Sequence, residues 1–230
     1  MERTRRIPEQ KTVSEERRAL EASPRRERTR AKILEAAFEL IGHAHGLSIR
    51  IEEICAKARV SRGTFYNYFS SMDDLFAALS FELSDTFNRA MHATVQAMPT
   101  NAERSDAAMR YYLERARKEP IWGWAMVHIC AHGPLFGANT FAAARRTIEE
   151  GIAAGEFDVV DAQTGRDFVL GAAYAAMSNQ LRHHQATTSD RMISSYVLRG
   201  LGVSEDRIAA IVTRKLPRID LDPAEPAARA

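Results

Sequence analysis

Apolar residues recur along this chain at helical spacing and nowhere at convincing strand spacing. Ile33, Leu34, Ala37, Phe38 and Ile41 form a first stripe, in a helix that starts at Arg26 and stops near Gly42 to Gly46. Ile51, Ile54, Cys55 and Ala58 form a second, short one, with Glu52 and Glu53 in its first turn, where acids complement the helix dipole. Ser61 caps a third helix, and Ser71-Met72-Asp73-Asp74 opens a fourth that carries Leu75, Phe76 and Leu79 toward Met98 and Pro99. Further on, the pattern predicts helices over 103–118, 121–131, 138–154, 163–184, 191–201 and 204–215, with Pro120, Pro134, Gly155 and Gly202 as stops. No hairpin signal or internal repeat interrupts them, so the fold class expected is all-α.

Composition adds limits. A chain of 230 residues, 45% hydrophobic and 27% charged, has enough apolar side chains for a core of ordinary globular kind. Residues 1–24 alternate Arg with Glu, hold few large apolar residues and are expected to form a disordered basic arm. The proline-rich stretch 217–230 is expected to be a loose tail. No apolar run approaches the roughly 18 residues that span a bilayer, and the charged N-terminus lacks the apolar stretch of a signal peptide. A cytoplasmic protein without a membrane partner is the expectation. Cys55 and Cys130 lie inside apolar helical patterns and form no CxxC, which argues for buried thiols rather than a disulfide or a zinc site. The sequence contains no GxSxG, P-loop, GxGxxG or HExxH, so neither an enzyme nor a cofactor is expected.

The charge is uneven. Residues 1–70 carry 15 Lys and Arg against 10 Asp and Glu, and the remainder 17 against 20. Within the basic third, two short helices joined by Ala58-Arg59-Val60 behind a longer one have the dimensions of a helix-turn-helix, whose second helix enters the major groove. Phe65 and Phe69, four apart, share a buried side with Val60 and leave Arg62, Gly63, Thr64, Tyr66, Asn67 and Tyr68 for solvent or DNA. Arg62 can fork to guanine O6 and N7, Asn67 can pair with adenine N6 and N7, and Thr64 can touch a base or a thymine methyl. Tyr66 and Tyr68 can donate hydroxyls to phosphate, Ser61 opens the helix with its free N–H groups, and Gly63 permits close backbone approach. Arg50 and Arg59 add phosphate contacts, and Arg25, Arg26, Arg28 and Arg30 would run along the backbone or into the minor groove.

The stretch RVSRGTFYNYFSSMDDLF, Arg59 to Phe76, resembles the DNA-binding segment of the TetR family of bacterial transcriptional regulators. Val60, Ser61, Gly63, Thr64, Phe65, Tyr66, Tyr68, Phe69 and Leu75 agree with that pattern. The resemblance implies a helix-turn-helix domain over 25–72 and a helical regulatory and dimerisation domain over 73–216. It further implies a homodimer on a palindromic double-stranded DNA operator, usually a repressor released by a small-molecule effector, cytoplasmic and on the nucleoid when bound. The sequence departs from the pattern in three places, one of them a pair of residues. Arg59 stands where the turn usually has glycine, at a cost of about 1 kcal/mol if that residue is left-handed. Ile49 and Arg50 replace a pair of small hydroxyl residues, and Met72 replaces a phosphate-contacting lysine. If these departures disable the head, an interaction protein of TetR-like fold without sequence-specific DNA binding is the alternative.

Aromatic and Met residues of the middle region suggest an apolar effector pocket lined by Tyr112, Trp122, Met126, His128, Phe141, Tyr174 and Met177; ordinary core is the competing reading. His128 and His132 share a helical face, but Cys130 between them points elsewhere, which favours packing over a metal. His183 and His184 project about 100° apart and do not suit one ion. The Gly- and Ala-rich helix 163–184, with residues 190–201, is the expected dimer contact.

Overall fold

Each apolar stripe becomes a helix. The computed structural model describes residues 9–183 and 189–219, excepting the side chains of residues 9–23, Leu47 and 84–86. Its helices are α1 Glu9–Ile41, α2 Ile51–Ala58, α3 Arg62–Tyr66, α4 Met72–Gln96 and α5 Asn101–Lys118, then α6 Pro120–Cys130, α7 Ala138–Ala153, α8 Ala162–His183, α9 Asp190–Gly200 and α10 Glu205–Thr213. A single 3-10 turn, Gly46–Ser48, lies between α1 and α2, and among the described residues there is no strand. None of their helices is long and apolar enough to cross a membrane.

The helix ends follow local chemistry. Ser71 accepts the Asp74 N–H at 3.1 Å to cap α4, and Thr100 accepts the Glu103 N–H at 3.2 Å to cap α5. The Glu156 carboxylate, from the loop after α7, takes the N–H groups of Asn101 and Ala102 at 3.1 and 3.3 Å. Pro120 serves as the first residue of α6, where its missing N–H costs nothing.

Two cores result. In the head, Ile33, Leu34 and Ile41 of α1, Ile54 of α2, Phe65 of α3, Phe69, and Leu75, Phe76 and Leu79 of α4 are buried together. In the body, α5, α6 and α8 close on Leu113, Trp122, Met126 and Met177, with α7, α9 and α10 around them. Two helices belong to both. α4 gives Leu75, Phe76 and Leu79 to the head and Phe87, Met91 and Val95 to the body; α6 gives Ala125 and Ile129 to the head and Trp122, Met126 and Val127 to the body.

Three expectations about boundaries change accordingly. The head does not end at residue 72, because α4 is continuous and its first two turns complete the head core. α1 starts at Glu9, inside the stretch read as a disordered arm; its Arg, Glu and Ala residues have good helix propensity although they present no apolar stripe. Residues 1–8 lie outside the described residues. The tail is held at its start, where Tyr111 donates to the Pro217 carbonyl at 2.8 Å and Leu216 and Ile219 pack on the body; residues 220–230 lie outside the described residues.

Head and body also meet at one close junction. His128 Nδ1 lies 2.7 Å from the carbonyl of Ile41, the last residue of α1, so this nitrogen carries the proton. Gly46 passes directly beneath: a Cβ there would stand 2.3 Å from the Ile41 oxygen and 2.4 Å from His128 Nδ1, so no larger residue fits without displacement. Asp73 lies 3.3 Å from His132, whose ring stacks on Phe76 at 4.4 Å.

Candidate nucleic-acid interface and effector cavity

The α2–α3 turn is made by a strained residue. Arg59 sits at φ 55, ψ 47, the left-handed conformation that glycine adopts freely, and Val60 N–H then reaches the Cys55 carbonyl at 3.0 Å. The arginine is thus accommodated and the turn closes. Ser61 accepts the Thr64 N–H at 3.0 Å, and the two hydroxyls lie 2.8 Å apart, so both side chains are engaged in capping α3. Phe65 points inward with no exposure, edge-on to Tyr66 and tilted against Phe69.

The residues expected to face DNA fall together on the outside of this unit. Arg50, Arg59, Ser61, Arg62, Gly63, Tyr66 and Asn67 are exposed, and Thr64 and Tyr68 are half-buried. Ile49 and Met72, two of the departures from the family pattern, pack against the head core. Arg62 is not idle in the free protein: its guanidinium pairs with Glu52 at 2.9 Å, and Tyr66 and then Glu52 hold its pKa above the ordinary arginine value. Arg50 lies 3.8 Å from Glu53, whose carboxylate also accepts the Arg50 N–H. Two arginines of α1 reach the same unit. Arg26 sits 5.7 Å above the Tyr68 ring, and Arg30 lies 5.7 Å above Phe69 while pairing with Glu82. Arg25 and Arg28 are exposed beside them.

In the body, α4, α5, α7 and α8 line a partly open cavity of about 60 Å³. Its walls are mostly apolar, including Met91, Val95, Met109, Ile148 and Leu170, and four alanines, Ala108, Ala143, Ala144 and Ala173, leave the space open. One corner is polar. Asn88 Nδ2 donates to Thr140 Oγ1 at 2.9 Å, the Tyr112 hydroxyl donates to Asn88 Oδ1, and Thr140 and Tyr112 share a hydrogen bond of 2.9 Å. Burial, above all else, pushes the Tyr112 phenol well up, so it stays protonated. At the other side, burial and then Arg146 push His92 below the usual histidine value. Phe136 closes one wall from a left-handed conformation, φ 59, with its N–H on Cys130 Sγ at 3.2 Å; burial raises that thiol to about 11.

Of the seven residues expected to line a pocket, Tyr112 alone faces this cavity. Met126 and Met177 are fully enclosed in the body core, and Trp122 is packed under Arg115 with its indole N–H on the Leu83 carbonyl at 3.3 Å. His128 belongs to the junction with α1, Tyr174 is half-buried at the core edge, and Phe141 lies under Arg166 at 3.8 Å. His132 pairs with Asp73; His183 is exposed and His184 lies outside the described residues. Among the described residues no group of three or more His, Cys, Asp or Glu is placed to hold a metal ion. The alanines and Thr140, which make the cavity, carry no signal of their own in the sequence.

A helix-turn-helix head whose core shares two helices with a hollow helical body defines a class, the DNA-binding transcriptional regulators. Residues 33–79 match the bacterial regulatory proteins of the tetR family, and residues 100–214 match the tetracyclin repressor-like C-terminal domain, so the chain belongs to the TetR family of transcriptional regulators. Regulators of this family bind DNA and small molecules and form dimers. Among solved structures, the chain is similar to RolR in complex with resorcinol, at 24% identity and a TM-score of 0.69 over 86% of this chain and 100% of that one. RolR without ligand gives 25% and 0.67 over 83% and 100%. FadR of Bacillus subtilis in complex with stearoyl-CoA gives 18% and 0.58 over 74% and 96%. No curated protein sequence matches the chain.

Proposed function

We propose that this protein is a ligand-responsive repressor that binds a palindromic operator as a homodimer and leaves it when a small, largely apolar effector fills the body cavity. The observation that carries the reading is α4. Its first two turns are part of the head core, and its last two, with Met91, His92, Val95 and Gln96, are a wall of the cavity. An occupant that favours one position of that wall therefore favours one position of the head, and only such differential affinity shifts the equilibrium.

In this reading Arg62, Thr64 and Asn67 read bases, while Ser61, Gly63, Tyr66, Tyr68, Arg50 and Arg59 hold phosphates. Arg25, Arg26, Arg28 and Arg30 extend the phosphate contacts along α1. The dimer forms through α8 and α9, where Phe168, Met192 and Tyr196 are exposed although apolar and Phe168 lies against Gly200. Selection of bound fragments from a random double-stranded DNA library tests the whole: an enriched palindrome supports it. Absence of enrichment at physiological salt would favour an interaction protein that has lost sequence-specific binding. Arg62→Ala should relax preference at one position per half-site, whereas Tyr66→Phe should weaken all sites alike. If deleting residues 1–27 leaves affinity and salt slope unchanged, the arm makes no phosphate contacts.

A further inference from the structure

The cavity has a definite chemical preference. On a scale where one water takes about 10–15 Å³, a volume of about 60 Å³ holds a handful of waters or a single small ring. Among the described residues that line it, the one arginine is Arg104, and that side chain is committed: it donates to the Met98 carbonyl at 3.1 Å, to Asn101 Oδ1 at 3.2 Å and to Glu150 at 3.0 Å. His92, depressed by burial and by Arg146, offers no positive charge near neutral pH either. An anion entering this space would lose its hydration and meet no uncommitted arginine among the residues that line it.

The polar corner also has a direction. Asn88, Tyr112 and Thr140 are each more than nine-tenths buried. The Tyr112 proton goes to Asn88 Oδ1, an acceptor only, so the Thr140 hydroxyl must donate to the Tyr112 oxygen while it accepts from Asn88 Nδ2. Both hydroxyl protons are then spent inside the triangle. What Tyr112 and Thr140 still present to the cavity is one lone pair each, and a lone pair is satisfied by a donor.

We propose that the cavity binds an uncharged, ring-sized molecule carrying a hydroxyl, whose proton is accepted by Tyr112 or Thr140, and that it discriminates against carboxylates and acyl thioesters. This proposal rests on the effector reading above and assigns it a chemical class.

Calorimetric titration of the full chain with phenol, its methyl ether anisole, benzoate and decanoyl-CoA tests the class. Phenol should bind, anisole about tenfold more weakly because it lacks the donor, and the two anions not measurably. Thr140→Val combined with Tyr112→Phe should narrow the ratio between phenol and anisole and Thr140→Ser alone should keep it, with melting curves showing that each variant is folded. Ala144→Leu, which fills the space, should abolish binding of both. Anisole binding as tightly as phenol, either anion binding more tightly, persistence of binding in Ala144→Leu, or no binding by any of the four would each overturn the proposal. A parallel assay on operator DNA separates the two layers: phenol that occupies the cavity without releasing DNA leaves the ligand class standing and removes the effector role.

Discussion

The head and the body solve the same packing problem to different ends. In the head, side chains from four helices meet on Phe65, with Ile33, Ile41, Ile54 and Leu75 equally inaccessible, and the polar groups that matter are outside. In the body, a larger core encloses polar groups, an Asn-Tyr-Thr triangle, beside a space that four alanines leave open and a phenylalanine closes from a left-handed backbone. Close packing makes the first a rigid block, since interiors at this density resist deformation. A void lined by small side chains gives the second room to rearrange. On the proposed reading, the contrast separates a unit that is moved from a unit that responds.

The largest test of this contrast lies in the head. Phe65→Ala should cost about 3–5 kcal/mol and, in a core with so little slack, should unfold the head and abolish DNA binding, as read by denaturant titration and gel shift. Retention of a wild-type unfolding midpoint would remove the idea of a rigid block. Next comes the junction. Gly46→Ala places a methyl against the Ile41 carbonyl and His128 and should cost about 1–3 kcal/mol. Adding His128→Ala should recover part of that loss, and additive losses in the double variant would show that the two do not meet.

The same histidine gives a pH dependence. Burial, helped by His132 and Arg182, holds His128 below 6.5, against the raising effect of its bond to Ile41. A depressed base binds its proton more readily in the unfolded chain, so stability should fall as pH drops below about 6.5. His128→Asn, which keeps a donor near the Ile41 carbonyl, should flatten that part of the slope in melting temperatures measured from pH 7.5 to about pH 5. In the turn, Arg59→Gly relieves the left-handed strain and should add about 1 kcal/mol, visible as a raised midpoint. The smallest effect belongs to the surface. Glu52→Gln frees Arg62 from its ion pair and should raise operator affinity several-fold without moving the midpoint; unchanged affinity would mean that Arg62 leaves Glu52 at no cost.

How much of this was legible in the sequence follows the same division. The outward positions of α3 could be read because a short helix with Phe65 and Phe69 on one side leaves few alternatives for the other, and because Ser61 and Ser71 mark where helices begin. The body helices were legible through their punctuation, Pro120, Gly155 and Gly202. The cavity was not. Large aromatics such as Trp122 fill space rather than border it, and the border is made by alanines, whose effect depends on what neighbouring helices fail to supply. α1 shows a third kind of miss: without an apolar stripe, periodicity gives no helix, although charged residues of good propensity continue one.

α4 carries a mechanical consequence. Its 25 residues make a rod of roughly 37 Å. Pivoted near the cavity, such a rod converts a tilt of about 5° into about 3 Å of travel at its far end, close to the ~3.4 Å axial rise per nucleotide of one DNA strand. On the proposed reading, a molecule no larger than one ring would have enough leverage to shift the head by one step along the DNA axis.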